Sequence, residues 1–166
     1  MAQYTLPHFG QIDTSKLEEY YDVDITFNGH DFQIDLNFEN KTIGVQRLDK
    51  VKEFIEKIAE LDAKNKVYIE EDYDDEEADT VKTYVQHHLE EIDREALAPL
   101  VDFENKAVDP EKQLVKQLHL VRMGLYPDSE DQFAIFDYSI GTELTNYLVV
   151  INTDEEGNLE YMTMES

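Results

Sequence analysis

The sequence predicts an α+β fold: an antiparallel sheet built from an N-terminal hairpin and a C-terminal meander, with about three helices inserted between them and packed on one face. Three observations carry this. Period-two alternation fills Tyr20–Glu39, three- and four-residue apolar spacing fills the middle of the chain, and β-branched and aromatic runs return from Leu118 onward. Strands grouped at the two ends, with helices between, argue against a repeated parallel βαβ arrangement.

The N-terminal hairpin comes first. Tyr21, Val23, Ile25 and Phe27 alternate with polar residues, as do Phe32, Ile34, Leu36 and Phe38. Between the runs stands Asn28-Gly29, the pair suited to positive φ at both centres of a type I′ turn. A two-residue loop pairs Phe27 with His30, Ile25 with Phe32, Val23 with Ile34 and Tyr21 with Leu36. The same register sets Asp22 opposite Asp35 and Asp24 opposite Gln33, so the outer face is predicted to be acidic, with like charges opposed.

After Gly44, Leu48, Val51, Phe54, Ile55, Ile58 and Leu61 fall at helical spacing. A second helix is predicted from Asp79 or Thr80, either a good N-cap, with Val81, Tyr84, Val85, His88, Leu89 and Ile92 as its buried stripe. Asp109-Pro110-Glu111 opens a third, since Asp caps, Pro suits the first turn and Glu favours the positive helix end. The strands Leu118–Tyr126, Phe133–Ser139, Tyr147–Asn152 and Leu159–Met164 follow, separated by turn-forming residues.

With 166 residues and no linker or internal repeat, the chain reads as a single domain, 1–166. Its 41% hydrophobic and 11% aromatic content supports a packed core. Cysteine is absent, which excludes disulfides, thiolate metal sites and cysteine nucleophiles. The 14 Lys and Arg against 39 Asp and Glu leave a net charge of −25, which disfavours nucleic acid and anionic membrane surfaces. With no basic leader and no apolar span, a soluble, cytoplasmic protein is expected.

The densest charge is Glu70, Glu71, Asp72, Asp74, Asp75, Glu76, Glu77 and Asp79, eight carboxylates in ten residues without a cation. Such a run reads most simply as a solvated inter-helix loop, and otherwise as a docking site for a basic partner or a weak Ca²⁺ or Mg²⁺ site, though it lacks the glycine of a tight calcium loop. The stretch Asn152-x-Asp154-x-Glu156-Gly157 imitates the start of a calcium loop, but Thr163 stands where a bidentate Glu belongs and the flanks are strands, so a hairpin turn is expected. His87, His88 and Glu91 are weak candidates for a metal, because His88 lies on the apolar stripe and the two imidazoles should point apart. No metal and no cofactor are predicted. Arg122 is the last cation in the chain; if Tyr126 faces Phe133, it faces Asp137 in a cross-strand ion pair, or else Arg122, Asp137 and Tyr138 line a polar cleft.

No nucleophile elbow, phosphate-binding glycine loop or dinucleotide fingerprint occurs, and none can be built from six scattered glycines. Catalytic residues are therefore not assigned.

Several segments are distinctive together: Tyr4-Thr5-Leu6-Pro7-His8-Phe9-Gly10, the Asp24-to-Phe38 hairpin ending Asp35-Leu36-Asn37-Phe38, Val85-Gln86-His87-His88-Leu89, and Phe136-Asp137-Tyr138-Ser139-Ile140-Gly141 followed by Thr145-Asn146-Tyr147-Leu148-Val149-Val150. With these the chain resembles, over nearly its whole length, an uncharacterised bacterial family of about this size, catalogued as a domain of unknown function, two-thousand-and-four in that series. The resemblance implies one intact single-domain member and brings no activity, substrate or catalytic residue with it.

The function expected from charge is a non-enzymatic acidic interaction module, leaning away from an enzyme. It would bind a basic protein, as an immunity or inhibitor protein does, through Glu70–Asp79 or through the sheet face of Asp22, Asp24 and Asp35. Two alternatives stand beside it: a divalent-metal-dependent hydrolase in which Arg122 stabilises an anionic substrate, and an acidity that serves solubility only.

Overall fold

The computed structural model describes residues 3–166. Its main body is a six-stranded sheet in chain order: β3 (Tyr20–Phe27), β4 (His30–Asn37), β5 (His119–Leu125), β6 (Ala134–Ser139), β7 (Leu148–Thr153) and β8 (Leu159–Glu165). The predicted hairpin register is present pair by pair, with Asp22 opposite Asp35. Asn28 and Gly29 have φ of 51° and 80°, the positive values that a type I′ turn requires. In the meander, Arg122 does pair with Asp137.

The α+β class stands, with one junction the sequence did not reveal: β5 lies parallel to β4, with Gln33 beside Arg122. The hairpin leaves β4 unpaired on one side, and the helical connection before β5 is long enough to return the chain in the same direction. The other four junctions are antiparallel. A second addition is a small separate hairpin, β1 (Gln3–Leu6) with β2 (Gly10–Asp13), turned through His8 at φ 67° and Gly10 at φ 76°.

Between the two parts of the sheet run α1 (Val45–Glu56), α2 (Ile58–Asp74), α3 (Thr80–Glu91), the single-turn α4 (Arg94–Leu97) and α5 (Pro110–Gln117). The helix predicted to span Leu48 to Leu61 is broken at Lys57, whose ψ of 21° takes it out of helical geometry. α5 begins as predicted: the Asp109 carboxylate accepts from the Lys112 N–H at 2.9 Å, with Pro110 in the first turn. α3 begins at Thr80, but Asp79 makes no side-chain cap.

One apolar cluster joins the layers. Ile34, Leu36, Met123, Leu125, Phe136, Tyr138, Val149 and Ile151 on one sheet face pack with Leu48, Val51, Ile69, Val81, Tyr84 and Leu114 of the helices. Alternation sends the remaining strand residues to the opposite face, which the helices leave uncovered. No helix among the described residues is long and apolar enough to cross a membrane.

Candidate functional site

The uncovered sheet face collects Tyr20, Asp22 and Asp24 from β3, Gln33, Asp35 and Asn37 from β4, Arg122 and Gly124 from β5, Asp137 from β6 and Tyr161 from β8. Arg122 is the only Lys or Arg on the six strands. Its Nε and Nη2 donate to the two oxygens of Asp35 at 2.6 and 2.9 Å, a bidentate fork, while Nη1 reaches Asp137 at 3.5 Å and Nη2 reaches the Tyr126 hydroxyl at 3.4 Å. Asn37 Nδ2 adds a third donor to Asp35 at 2.7 Å.

Gly124 makes this geometry possible. A Cβ there would lie 2.5 Å from Arg122 Nη2 and 3.1 Å from Asp35 Oδ1, so the bare backbone is the floor across which the guanidinium reaches β4. The hydrogen bond to Asp35, followed by the smaller contributions of Tyr126 and Asp137, raises the Arg122 pKa further above its ordinary value against the effect of burial. Burial dominates at Asp137 and pushes its carboxyl up; the distant Arg122 contact offsets only part of this.

Two expectations need correction here. Asp35 was expected to display charge, but it is fully buried beneath Arg122 and cannot meet a partner. The parallel β4–β5 junction explains this, because it brings a cation to Asp35 that the hairpin alone does not possess. Tyr138 does not join Arg122 and Asp137: adjacent strand residues point to opposite faces, and Tyr138 lies on the helix side, donating to Asp62 Oδ1 at 2.6 Å. There is thus no cleft formed by those three residues. The outer face displays Asp22, Asp24, Tyr20 and Tyr161, all exposed, around an ion pair whose positive charge is already matched.

The other candidates resolve into structural roles. α2 extends through Asp74, so Glu70, Glu71, Asp72 and Asp74 form the end of a helix, and only Asp75, Glu76, Glu77 and Asp79 belong to the following turn. Asp72 Oδ2 accepts the Val81 N–H at 2.8 Å and supplies the cap that Asp79 does not; Asp75 closes the turn by accepting from Glu77 N at 2.9 Å. His88 is buried and fully bonded. Its Nδ1 lies 2.6 Å from the Tyr84 carbonyl, an acceptor, so Nδ1 carries the proton and Nε2 accepts from Thr145 Oγ1 at 2.7 Å. The two imidazoles do not point apart as expected; their rings meet edge to face at 5.2 Å, and both approach Tyr147. The calcium-like stretch is a hairpin turn in which Asp154 accepts from Glu156 N and Asn158 N, with Gly157 at φ 81°.

One feature of the structure has no counterpart in the sequence patterns. Next to the parallel β4–β5 junction, at the starts of the two strands, the rings of His30 and His119 stack at 3.7 Å with only 12° between planes. They border a cleft of about 170 Å³ that the buried Asp62 and the lysines Lys66 and Lys116 also line. Burial, followed by the nearby His30, moves His119 below the ordinary imidazole range; the Gln117 carbonyl that it contacts at 3.0 Å works the other way. No signal in the sequence joins residues 30 and 119 without knowledge of the β4–β5 junction. Among the described residues, no three His, Asp or Glu side chains converge in a metal-holding group.

No family model, no curated protein and no solved structure matches the chain.

Proposed function

We propose that this chain is a non-enzymatic acidic interaction module that binds a basic protein partner, in the manner of an immunity or inhibitor protein, and that it works through the sheet face the helices leave uncovered. One observation supports this reading: that face exposes Asp22, Asp24, Tyr20 and Tyr161, while its single cation is neutralised by Asp35 and Asp137. A face with accessible carboxylates, exposed tyrosines and no available positive charge is complementary to a cationic surface. Tyrosine supplies large contact area with little side-chain entropy to lose.

The acidic end of α2 is less available for docking, because Asp72 and Asp75 are used within the fold. The resemblance to an uncharacterised bacterial family is retained as part of this proposal and supplies no activity. The test is low-salt affinity capture from native lysate, followed by reconstitution of the purified pair. One stoichiometric basic partner, weakened by Asp22→Asn with Asp24→Asn and by added salt, supports the reading. An empty capture, or a partner indifferent to both changes, leaves the acidity serving solubility.

A further inference from the structure

We infer that the docking element is the free edge of β3, which accepts an extended basic segment of the partner as a seventh strand. This rests on the interaction reading above and goes further by naming the edge, the backbone positions and the pattern of the occupant. In a two-residue hairpin, Phe27 and His30 form a hydrogen-bonded pair, so alternate residues Tyr20, Asp22, Asp24 and Thr26 turn their N–H and C=O groups away from β4. Among the described residues, none of those outward groups enters a hydrogen bond. This is an unused ladder.

Both side-chain rows of the edge are prepared for a neighbour. On the helix side, Tyr21, Val23, Ile25 and Phe27 are only half-buried, whereas Phe32, Ile34 and Leu36 one strand inward are fully covered. The apolar layer therefore stops one strand short, and an added strand with apolar residues on that side would complete it. On the outer side, Asp22 and Asp24 are exposed and have no cation within ion-pair distance among the described residues. Acidic residues on an edge normally discourage pairing with another strand, and here they choose the partner.

Charge decides the occupant. A second copy pairing antiparallel about Val23 would set Asp22 of each chain against Asp24 of the other, like charges on one face. A segment with Lys or Arg at alternate positions reverses the sign of both contacts, and its intervening apolar residues face the half-covered row. Strand addition gives the backbone affinity, and the alternation gives the selection.

The experiment uses the full chain and two synthetic peptides of equal composition: one alternating Lys and Val, the other with all Lys and all Val in separate blocks. Binding is followed by fluorescence anisotropy at low salt and by amide resonance mapping. The alternating peptide is expected to bind at least ~10-fold more tightly than the blocked one, with exchange protection appearing at Tyr20, Asp22, Asp24 and Thr26. Thr26→Pro removes one outward N–H, keeps both carboxylates and lies where proline is tolerated on an edge, so it should weaken binding ~10-fold without unfolding the chain. Asp22→Asn with Asp24→Asn, which leaves the backbone intact, should do the same.

Equal affinity for the two peptides, no loss in Thr26→Pro with the fold intact, or perturbations centred on Glu70–Asp79 would overturn strand addition. Dimerisation through β3 would overturn the choice of occupant. If a basic protein is captured but maps to another surface, the edge inference falls and the interaction reading survives; if neither peptide nor protein binds, both fall.

Discussion

Asp35 and Asp137 share one guanidinium, but their positions differ in what burial demands. Asp35 is fully buried and receives three donors, two of them from Arg122. Asp137 has one long contact, and burial pushes its carboxyl up. Asp35→Asn should therefore destabilise the fold by about 2 kcal/mol or more, since it breaks a charge-assisted fork and leaves Arg122 short of a partner. Asp137→Asn should be neutral or stabilising at pH 7. The sign follows from linkage: a carboxyl raised in the folded state favours folding when protonated, and that contribution is lost as pH rises through the folded value. Urea unfolding of the two variants checks both signs, and an equal loss in each would contradict them.

His88 gives a second prediction at this scale. Burial, and then the neighbouring His87, lowers its pKa from the ordinary 6.5, while the Tyr84 carbonyl partly opposes them. A histidine held neutral in the fold contributes stability that is present above the unfolded value and lost as pH falls through the window below it. Stability should consequently decline from about pH 6.5 downward, and His88→Gln should flatten that decline. Nitrogen chemical shifts should show the proton on Nδ1. A folded-state midpoint at or above the ordinary value would remove the prediction.

At the scale of elements, the junction of α2 and α3 separates structural carboxylates from surplus ones. Glu70, Glu71, Asp72 and Asp74 crowd the negative end of α2 with no basic residue in its last turn, an arrangement that opposes the helix dipole. Asp72 is repaid in kind by capping α3 at Val81 N, and Glu71 is exposed. Asp72→Ala should cost about 1 kcal/mol through loss of that cap. Glu71→Lys should instead stabilise by roughly 0.3–1 kcal/mol. Thermal melts of the two variants should move in opposite directions. The capping sequence at Asp109-Pro110-Glu111 was legible because the signal is local and chemical. The cap of α3 was not, because its acceptor comes from the preceding helix, eight residues before Thr80 by the numbering.

For the whole molecule, a net charge of −25 spread over 166 residues makes the compact state self-repelling. Monovalent salt should raise the melting temperature by several degrees between about 10 mM and 0.2 M, as the screening length contracts. Potassium and sodium should act alike at matched ionic strength. A melting temperature indifferent to salt would mean that the carboxylates are already compensated within the fold. The same screening should weaken capture of a basic partner, so stability and binding respond to salt in opposite directions.

Local and periodic features were legible along the chain: the Asn28-Gly29 turn, the hairpin register, the Arg122–Asp137 pairing, the α5 start and the α+β class. These depend on residues close along the chain or on a repeat that strand and helix geometry impose. That β4 and β5 run parallel as neighbours came from packing alone, since nothing short of the complete helical connection fixes where β5 returns. That single junction buries Asp35 under Arg122, stacks His30 on His119 and leaves β3 as a free edge. Long-range adjacency has no period to read, because it is set by how the layers pack rather than by the order of residues within any one of them.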